Sequence, residues 1–347
     1  MPGRFGLLPM RLKPQLKRFV SIGLKLGIAL LLVGWLVRSG SLDFGALRIL
    51  IERPSILALN MAVWLTCSVI LSTTRWLLLL RLAHVHVPFF RALSLQLTAV
   101  FFNVVVPGNV GGDVIKALYV AREAPPESKT TILLVVFVER ILGLAGLVTL
   151  GGSMMVLGHS PANALPELRA VKATLGLLAL GFLLAPVIGV GVMRVWGAQI
   201  AGISKGSSRL SQIIQRLLEA ARLLSRRTRI LALALLISVT MHAVSVFYFT
   251  QLTEAIRNAP CDFTSVATVF PIGLLSLVLP ISLAGIGVGH VAFEKLYAAI
   301  GLSQGATIFN VYLLGQLAPC VLGVIPYLFL RAKTQIPTAE EAKETAS

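Results

Sequence analysis

Charge is scarce in this chain. Only 13% of its 347 residues are Asp, Glu, Lys or Arg, about half the share found in ordinary soluble domains. Acid is the scarcer sign, with 14 Asp and Glu against 31 Lys and Arg. Cysteine is nearly missing as well, at three residues. Cys67 and Cys320 lie in apolar runs and Cys261 sits beside Asp262, so neither metal-ligand spacing nor a disulfide framework is present. The chain also lacks G-x-S-x-G, H-E-x-x-H and P-loop signatures. No polar stretch is long enough for a soluble catalytic domain. These absences argue against a soluble enzyme, a zinc protein and a disulfide-stapled domain, and no cofactor or metal is expected.

Apolar residues fill the space, at 56% of the chain and a mean hydropathy of +0.86. Several runs reach the roughly 20 residues that cross a bilayer, which predicts an all-α, polytopic membrane bundle of about six to eight spans. The net charge of +17 would suggest nucleic acid in a soluble protein. Here it fits cytoplasmic loops, which collect Lys and Arg. No basic domain with interleaved aromatics exists, so no nucleic-acid partner is expected.

Arg4, Arg11, Lys13, Lys17 and Arg18 precede a first span at about 19–37, which places the N-terminus in the cytoplasm. That apolar stretch is too long for a signal-peptide core and no A-x-A site follows it. A second helix is expected at about 55–80, with Arg75, Arg81 and Arg91 marking its cytoplasmic exit. Further helices are expected at about 92–106, 130–157, 170–193, 229–250, 263–279, 283–300 and 306–330. Between 207 and 228, apolar residues recur on one helical face while Arg209, Arg216, Arg222 and Arg226 take the others. This predicts an amphipathic helix, either on the cytoplasmic surface or packed on the bundle. One transmembrane domain over 19–330 is thus expected, with a basic segment 1–18 before it and a polar, disordered tail 331–347 after it.

The segment 92–106 is short for a span and ends at "VVVPGNVGGD", where Pro107 precedes Gly111 and Gly112. Basic residues flank it on both sides, so it is read as a re-entrant hairpin with the Pro-Gly break at its tip. "LVLPISLAGIG" repeats the spacing, with Pro280 followed by Ala284 and Gly285 and then Gly287. The topology puts the two breaks on opposite faces, the pattern of an inverted repeat, and in transporters such paired breaks point to the substrate site. Non-helical backbone at membrane depth is tolerated only in protein or beside a water-filled cavity. A helix restarting after Gly111-Gly112 offers free N–H groups to an anion such as phosphate.

Charges gather beside the first break. Asp113 is either the helix cap or a partner for a cation, Lys116 lies one turn on, and Asn103 is placed to hydrogen-bond across the break. "VVFVERILGLAGL" puts Glu139 and Arg140 near mid-membrane, where ionisable groups are costly and mark pathways. Neighbouring helical residues point about 100° apart, so each needs a partner elsewhere: Asp113 for Arg140 and Lys116 for Glu139. Such a cluster suits a headgroup, or forms a purely structural network. In the second half, His290 and Glu294 share a helical face, as a proton relay or a headgroup contact, or else His290 is a lone satisfied histidine. His242 is assigned no role.

"FFNVVVPGNVGGDVIKA", "VFVERILGL" and "LPISLAGIGV", in this order, resemble the transmembrane region of lysylphosphatidylglycerol synthases, the UPF0104 family, over about residues 20–330. In bifunctional members this region is the flippase part and a separate cytosolic domain attaches the amino acid. The resemblance implies a stand-alone lipid-translocating protein of the bacterial inner membrane, with both termini cytoplasmic and no aminoacyltransferase activity. Its partners would be membrane lipids, namely an anionic or zwitterionic phospholipid or a lipid-linked glycan, and association into homo-oligomers is compatible with it. Two positions depart from the family pattern: Lys116 stands where Arg is common, and Gly289-His290 where an Arg-Glu pair is common. Two other readings remain open, a membrane transferase using Glu139 or Asp113 as base, and a membrane organiser that transports nothing.

Overall fold

The computed structural model describes residues 48, 51–82, 84–105, 111–124, 128–157, 176, 177, 180, 181, 228–277 and 287–330. Among them every regular element is a helix, and the chain is an all-α membrane bundle. The elements are α1 Pro54–Leu82, α2 Phe89–Val105, α3 Gly111–Glu123, α4 Lys129–Leu157, α5 Thr228–Arg257, α6 Phe263–Ser276, α7 Val288–Ala299, α8 Gly305–Leu314 and α9 Leu317–Leu330. The helices expected at 19–37 and 170–193, the surface helix at 207–228 up to Thr228, and the tips at Pro107 and at Pro280–Gly285 lie outside the described residues.

Four helices or helix pairs among the described residues are long and apolar enough to cross a membrane: Pro54–Leu82, Lys129–Met155, Thr228–Arg257 and Gly305–Phe329. Their burial is the reverse of a soluble helix. On α4, Phe137 is 62% exposed while Glu139 is 4% exposed, the arrangement that a lipid solvent favours.

Helix α1 opens with Pro54 in its first turn, where a missing N–H costs nothing, after a non-helical Arg53 (φ −128°, ψ 77°). The Arg53 guanidinium donates to the Ala255 carbonyl and to Asn258 Oδ1 at the far end of α5. Asn258 takes the left-handed conformation (φ 51°) that ends helices. The start of α1 therefore meets the end of α5, and the two run antiparallel. Midway, α1 passes through a π-helical turn, Leu65–Leu71, which its sequence does not announce. Helix α5 continues to Arg257, beyond the expected end at 250. α4 packs antiparallel to it, close enough that a Cβ on Gly146 would lie 2.6 Å from Ser238 Cβ.

Two short helix pairs fold back on themselves. In the first, Asn103 on α2 meets Gly112 on α3, and a Cβ on Gly112 would stand only 1.8 Å from the Ala99 carbonyl oxygen. Only glycine permits this approach. At the other end Arg91 pairs with Glu123, so the chain enters and leaves this hairpin side by side. At about 26 Å and 20 Å for 17 and 13 residues, both helices fall short of a full span. In the second pair, Phe270 and Phe293 rings lie 6.1 Å apart and a Cβ on Gly289 would come within 3.0 Å of Leu277 Cδ2, so α6 and α7 are antiparallel too. Asp262 caps α6, accepting from the Thr264 and Ser265 amides at 3.2 and 2.9 Å. α7 starts at Gly287, whose φ of 83° strains any residue with a Cβ.

The final helix, expected unbroken over 306–330, is interrupted at Gly315–Gln316. Pro319 has no N–H for the Gly315 carbonyl and its ring crowds that carbonyl. The chain tightens there, with Gly315 N–H bonding Tyr312 O at 3.2 Å and Gln316 N–H bonding Leu313 O at 2.9 Å. α1 supplies donors to the carbonyls at the break: Asn60 Nδ2 donates to Val311 O at 3.2 Å and Trp64 Nε1 to Tyr312 O at 2.9 Å.

Candidate functional site

The charged residues singled out on α3 and α4 meet in one buried chain. Arg140 binds Asp113 Oδ2 through Nε at 2.8 Å and Nη2 at 2.5 Å. Lys116 Nζ reaches Asp113 Oδ1 at 3.1 Å and Glu139 Oε2 at 2.8 Å. The pairings argued from helical geometry, Asp113 with Arg140 and Lys116 with Glu139, are both present. Asp113 is the third residue of α3, where an acid favours the helix dipole. Its carboxylate serves the two cations and does not act as a cap. The capping bond comes from across the tip: Gly112 N–H donates to Asn103 Oδ1 at 2.8 Å. Gly111 is half-buried and opens the helix.

Lys116 is only 1% exposed, and its environment explains how a membrane helix tolerates it. An ammonium has three N–H donors, and three acceptors surround this one: Asp113, Glu139 and, at 3.1 Å, Gln96 Oε1. Nζ also lies 4.9 Å from the Trp76 ring centroid, a cation–π contact. Gln96 is in turn held by its amide, which donates to Ser68 O and Ser72 Oγ, both at 3.0 Å. All three N–H donors of the Lys116 ammonium thus have an acceptor in reach.

Sequence reasoning missed one member. Arg75 was read as a cytoplasmic exit marker of α1. In the structure it is 8% exposed and donates to Glu139 Oε1 at 3.4 Å and Ser238 Oγ at 2.8 Å. The signal was the polar run Ser72-Thr73-Thr74 just before it, which marks an inward face rather than an interface. The full chain is Arg75–Glu139–Lys116–Asp113–Arg140, with three cations and two carboxylates. Arg75 Nε is left over as a buried donor without a partner. Arg140 closes the chain at its exposed end, with 38% of its side chain accessible.

The second-half residues are not part of this chain. His290 Nδ1 accepts from Gly287 N–H at 3.3 Å, and Glu294 Oε2 accepts from Ala306 N–H at 2.8 Å. Each closes a helix start, at α7 and α8. They bond different partners, which favours the structural reading over a relay. Gly289 is buried, and a Cβ there would stand 2.2 Å from the Phe309 ring. The side chain of an Arg at this place would have to displace that ring. Pro107, Pro280 and Gly285 lie outside the described residues. His242, which carried no assignment, bonds the Gly143 carbonyl at 3.0 Å.

One comparison with known proteins gives a match. The family model described as the lysylphosphatidylglycerol synthase TM region fits residues 22–326. Neither the curated proteins nor the solved structures contain a match to the chain.

Proposed function

The chain belongs to the lysylphosphatidylglycerol synthase TM region family, and on that premise we propose that it moves a lipid headgroup between the leaflets of a bacterial inner membrane. The cargo is a phospholipid or other lipid-linked headgroup bearing phosphate. The observation that carries this reading is the buried charge chain on three helices, ending at the partly accessible Arg140. Intramembrane ionisable groups mark substrate pathways, and a guanidinium is the side chain whose geometry matches a phosphodiester. Asp113, Lys116 and Glu139 hold the cluster in shape, and Arg140 with Asp113 meets the headgroup.

The antiparallel pairs α2–α3 and α6–α7 support two re-entrant hairpins, inserted from opposite faces as an inverted repeat. Their Pro-Gly tips would approach each other around the headgroup while the acyl chains stay in lipid. Both termini are cytoplasmic in this arrangement. The test is leaflet transfer of a fluorescent phospholipid in liposomes reconstituted with purified protein. Arg140→Ala removes a partly exposed side chain and should abolish transfer while the protein still elutes as a folded species. Transfer at the parental rate would overturn the assignment.

A further inference from the structure

Helix α3 has a second face that the charge chain leaves unused. Asp113 and Lys116 point inward. Ile115, Leu118 and Arg122, at spacings of three and seven, point the other way, and Tyr119 lies at the boundary, partly packed on the core. With Phe102 of α2 and Tyr327 of α9 they line a cavity of about 300 Å³. Its floor is aromatic: the Phe102 and Tyr327 rings meet edge to face at 4.9 Å. Leu118 is 46% exposed, so the cavity opens outward. From Ile115 to Arg122 the groove extends about 10 Å along the helix.

Arg122 is the groove's one charged residue. It lies in the last turn of α3, at the end of the hairpin where Arg91 and Glu123 pair. Glu123 is thereby engaged, and Arg122 makes no ion pair or hydrogen bond among the described residues. A tyrosine and an unpaired arginine above an apolar, aromatic slot have the polarity of a membrane interface. The matching molecule has an anionic head and a hydrocarbon body.

We propose that this outer groove holds a bilayer phospholipid, with its phosphate on Arg122 beside the Tyr119 hydroxyl and one acyl chain over Phe102, Leu118 and Tyr327. The guanidinium takes phosphate oxygens in a two-pronged bond. The site is separate from the charge chain, because none of its lining residues belongs to that chain. It stands whether or not the protein transfers lipid between leaflets.

The experiment titrates purified full-length protein in detergent with dioctanoyl phosphatidylglycerol and counts bound lipid by native mass spectrometry. Dioctanoylglycerol, which lacks the phosphate, serves as the control. Arg122→Gln, at an exposed position, should weaken phosphatidylglycerol binding about tenfold, the worth of one charge-assisted bidentate contact, and leave dioctanoylglycerol binding as it was. Leu118→Trp, which fills the slot, should weaken both ligands. Undiminished phosphatidylglycerol binding by Arg122→Gln would overturn the proposal. Displacement of the lipid by equal inorganic phosphate would also overturn it, since the site would then recognise the ion and not the lipid.

Discussion

The two helical hairpins share a plan and differ in what holds them. α2–α3 is fastened to its neighbours by charge: Asp113 and Lys116 are tied to Glu139 and Arg140 on α4, and through Glu139 to Arg75 on α1. α6–α7 is fastened by rings. Phe270 and Phe293 pack around Phe249 of α5 at 4.9 and 5.0 Å, and Phe293 stacks on Phe309 of α8 at 4.7 Å. Its polar ties include Thr253 Oγ1 to Tyr297 OH at 2.7 Å and the Ala306 N–H to Glu294 Oε2 at 2.8 Å, and none of these is an ion pair. The difference bears on mechanism. An ion-pair chain has specific partners that a charged ligand can compete for. Stacked rings offer no such partners and suit a fixed frame. In our reading the α2–α3 hairpin addresses the headgroup, and α6–α7 braces against it.

That contrast breaks down under the right substitutions. The largest effect is expected from Glu139→Ala, which leaves Lys116 and Arg75 buried without their shared carboxylate. Removing one partner of a buried pair costs about 3–5 kcal/mol, read as lost thermal stability in detergent, and Glu139→Gln should recover part of it. Phe293→Ala should cost less, about 2–3 kcal/mol. A ring truncated in water-soluble cores costs about 3–5, but part of that is transfer from water, which a lipid solvent does not supply. If Phe293→Ala proved the more damaging, the assignment of charge to one hairpin and packing to the other would fail as an account of stability.

Glycine replacements sharpen the same comparison. Gly112→Ala drives a methyl into the Ala99 backbone, which cannot yield without parting α2 from α3, at about 1–3 kcal/mol. Gly289→Ala meets the Phe309 ring, a side chain able to turn, and should cost less than Gly112→Ala in the same thermal assay. Equal losses would show the second hairpin to be as rigid as the first.

The smallest effects concern the caps. Asn103→Ala and Asp262→Ala each remove a helix-start acceptor, worth about 1 kcal/mol. Only Asp262 brings pH with it. Slight burial pushes its carboxyl up, but bonds from Thr264 and Ser265 outweigh that and hold it below the ordinary value. Its contribution is therefore present above the unfolded carboxyl value near pH 4 and is lost as pH falls further. The stability gap between Asp262→Ala and the parent should close on acidification, while the Asn103→Ala gap stays constant.

Much of the fold could be read from the chain, for reasons that the same residues explain. Length and apolarity alone placed α4 within a residue, since no proline interrupts 130–157. Glu139 and Arg140 declared themselves because two adjacent charges at mid-span cannot serve each other, and Asp113 and Lys116 were the available complements. Arg75 escaped because a basic residue near the end of an apolar run normally marks an interface. The preceding Ser72-Thr73-Thr74 run hints at an inward face, and the bonds to Ser238 and Glu139 give Arg75 its partners there. The interruption at Gly315–Gln316 escaped because its determinant, Pro319, acts on the carbonyl four residues back. His290 and Glu294 share a helical face as expected, but their partners, Gly287 and Ala306, are set by the turns on either side and not by that face.

The π-helical turn in α1 has a consequence for phase. Successive residues of an α-helix advance by about 100°, and a π turn accommodates one residue more than an α turn does. The half of α1 that carries Asn60 and Trp64 toward the carbonyls of α8 is thereby set out of step with the half that carries Ser72 and Arg75 toward Glu139. The helix works as a crankshaft with two throws. Deleting one residue within Leu65–Leu71 would turn the π turn into an α turn and keep both grips, whereas adding one would rotate one half by about 100°, and α1 could then grip the α8–α9 break or complete the charge chain, but not both.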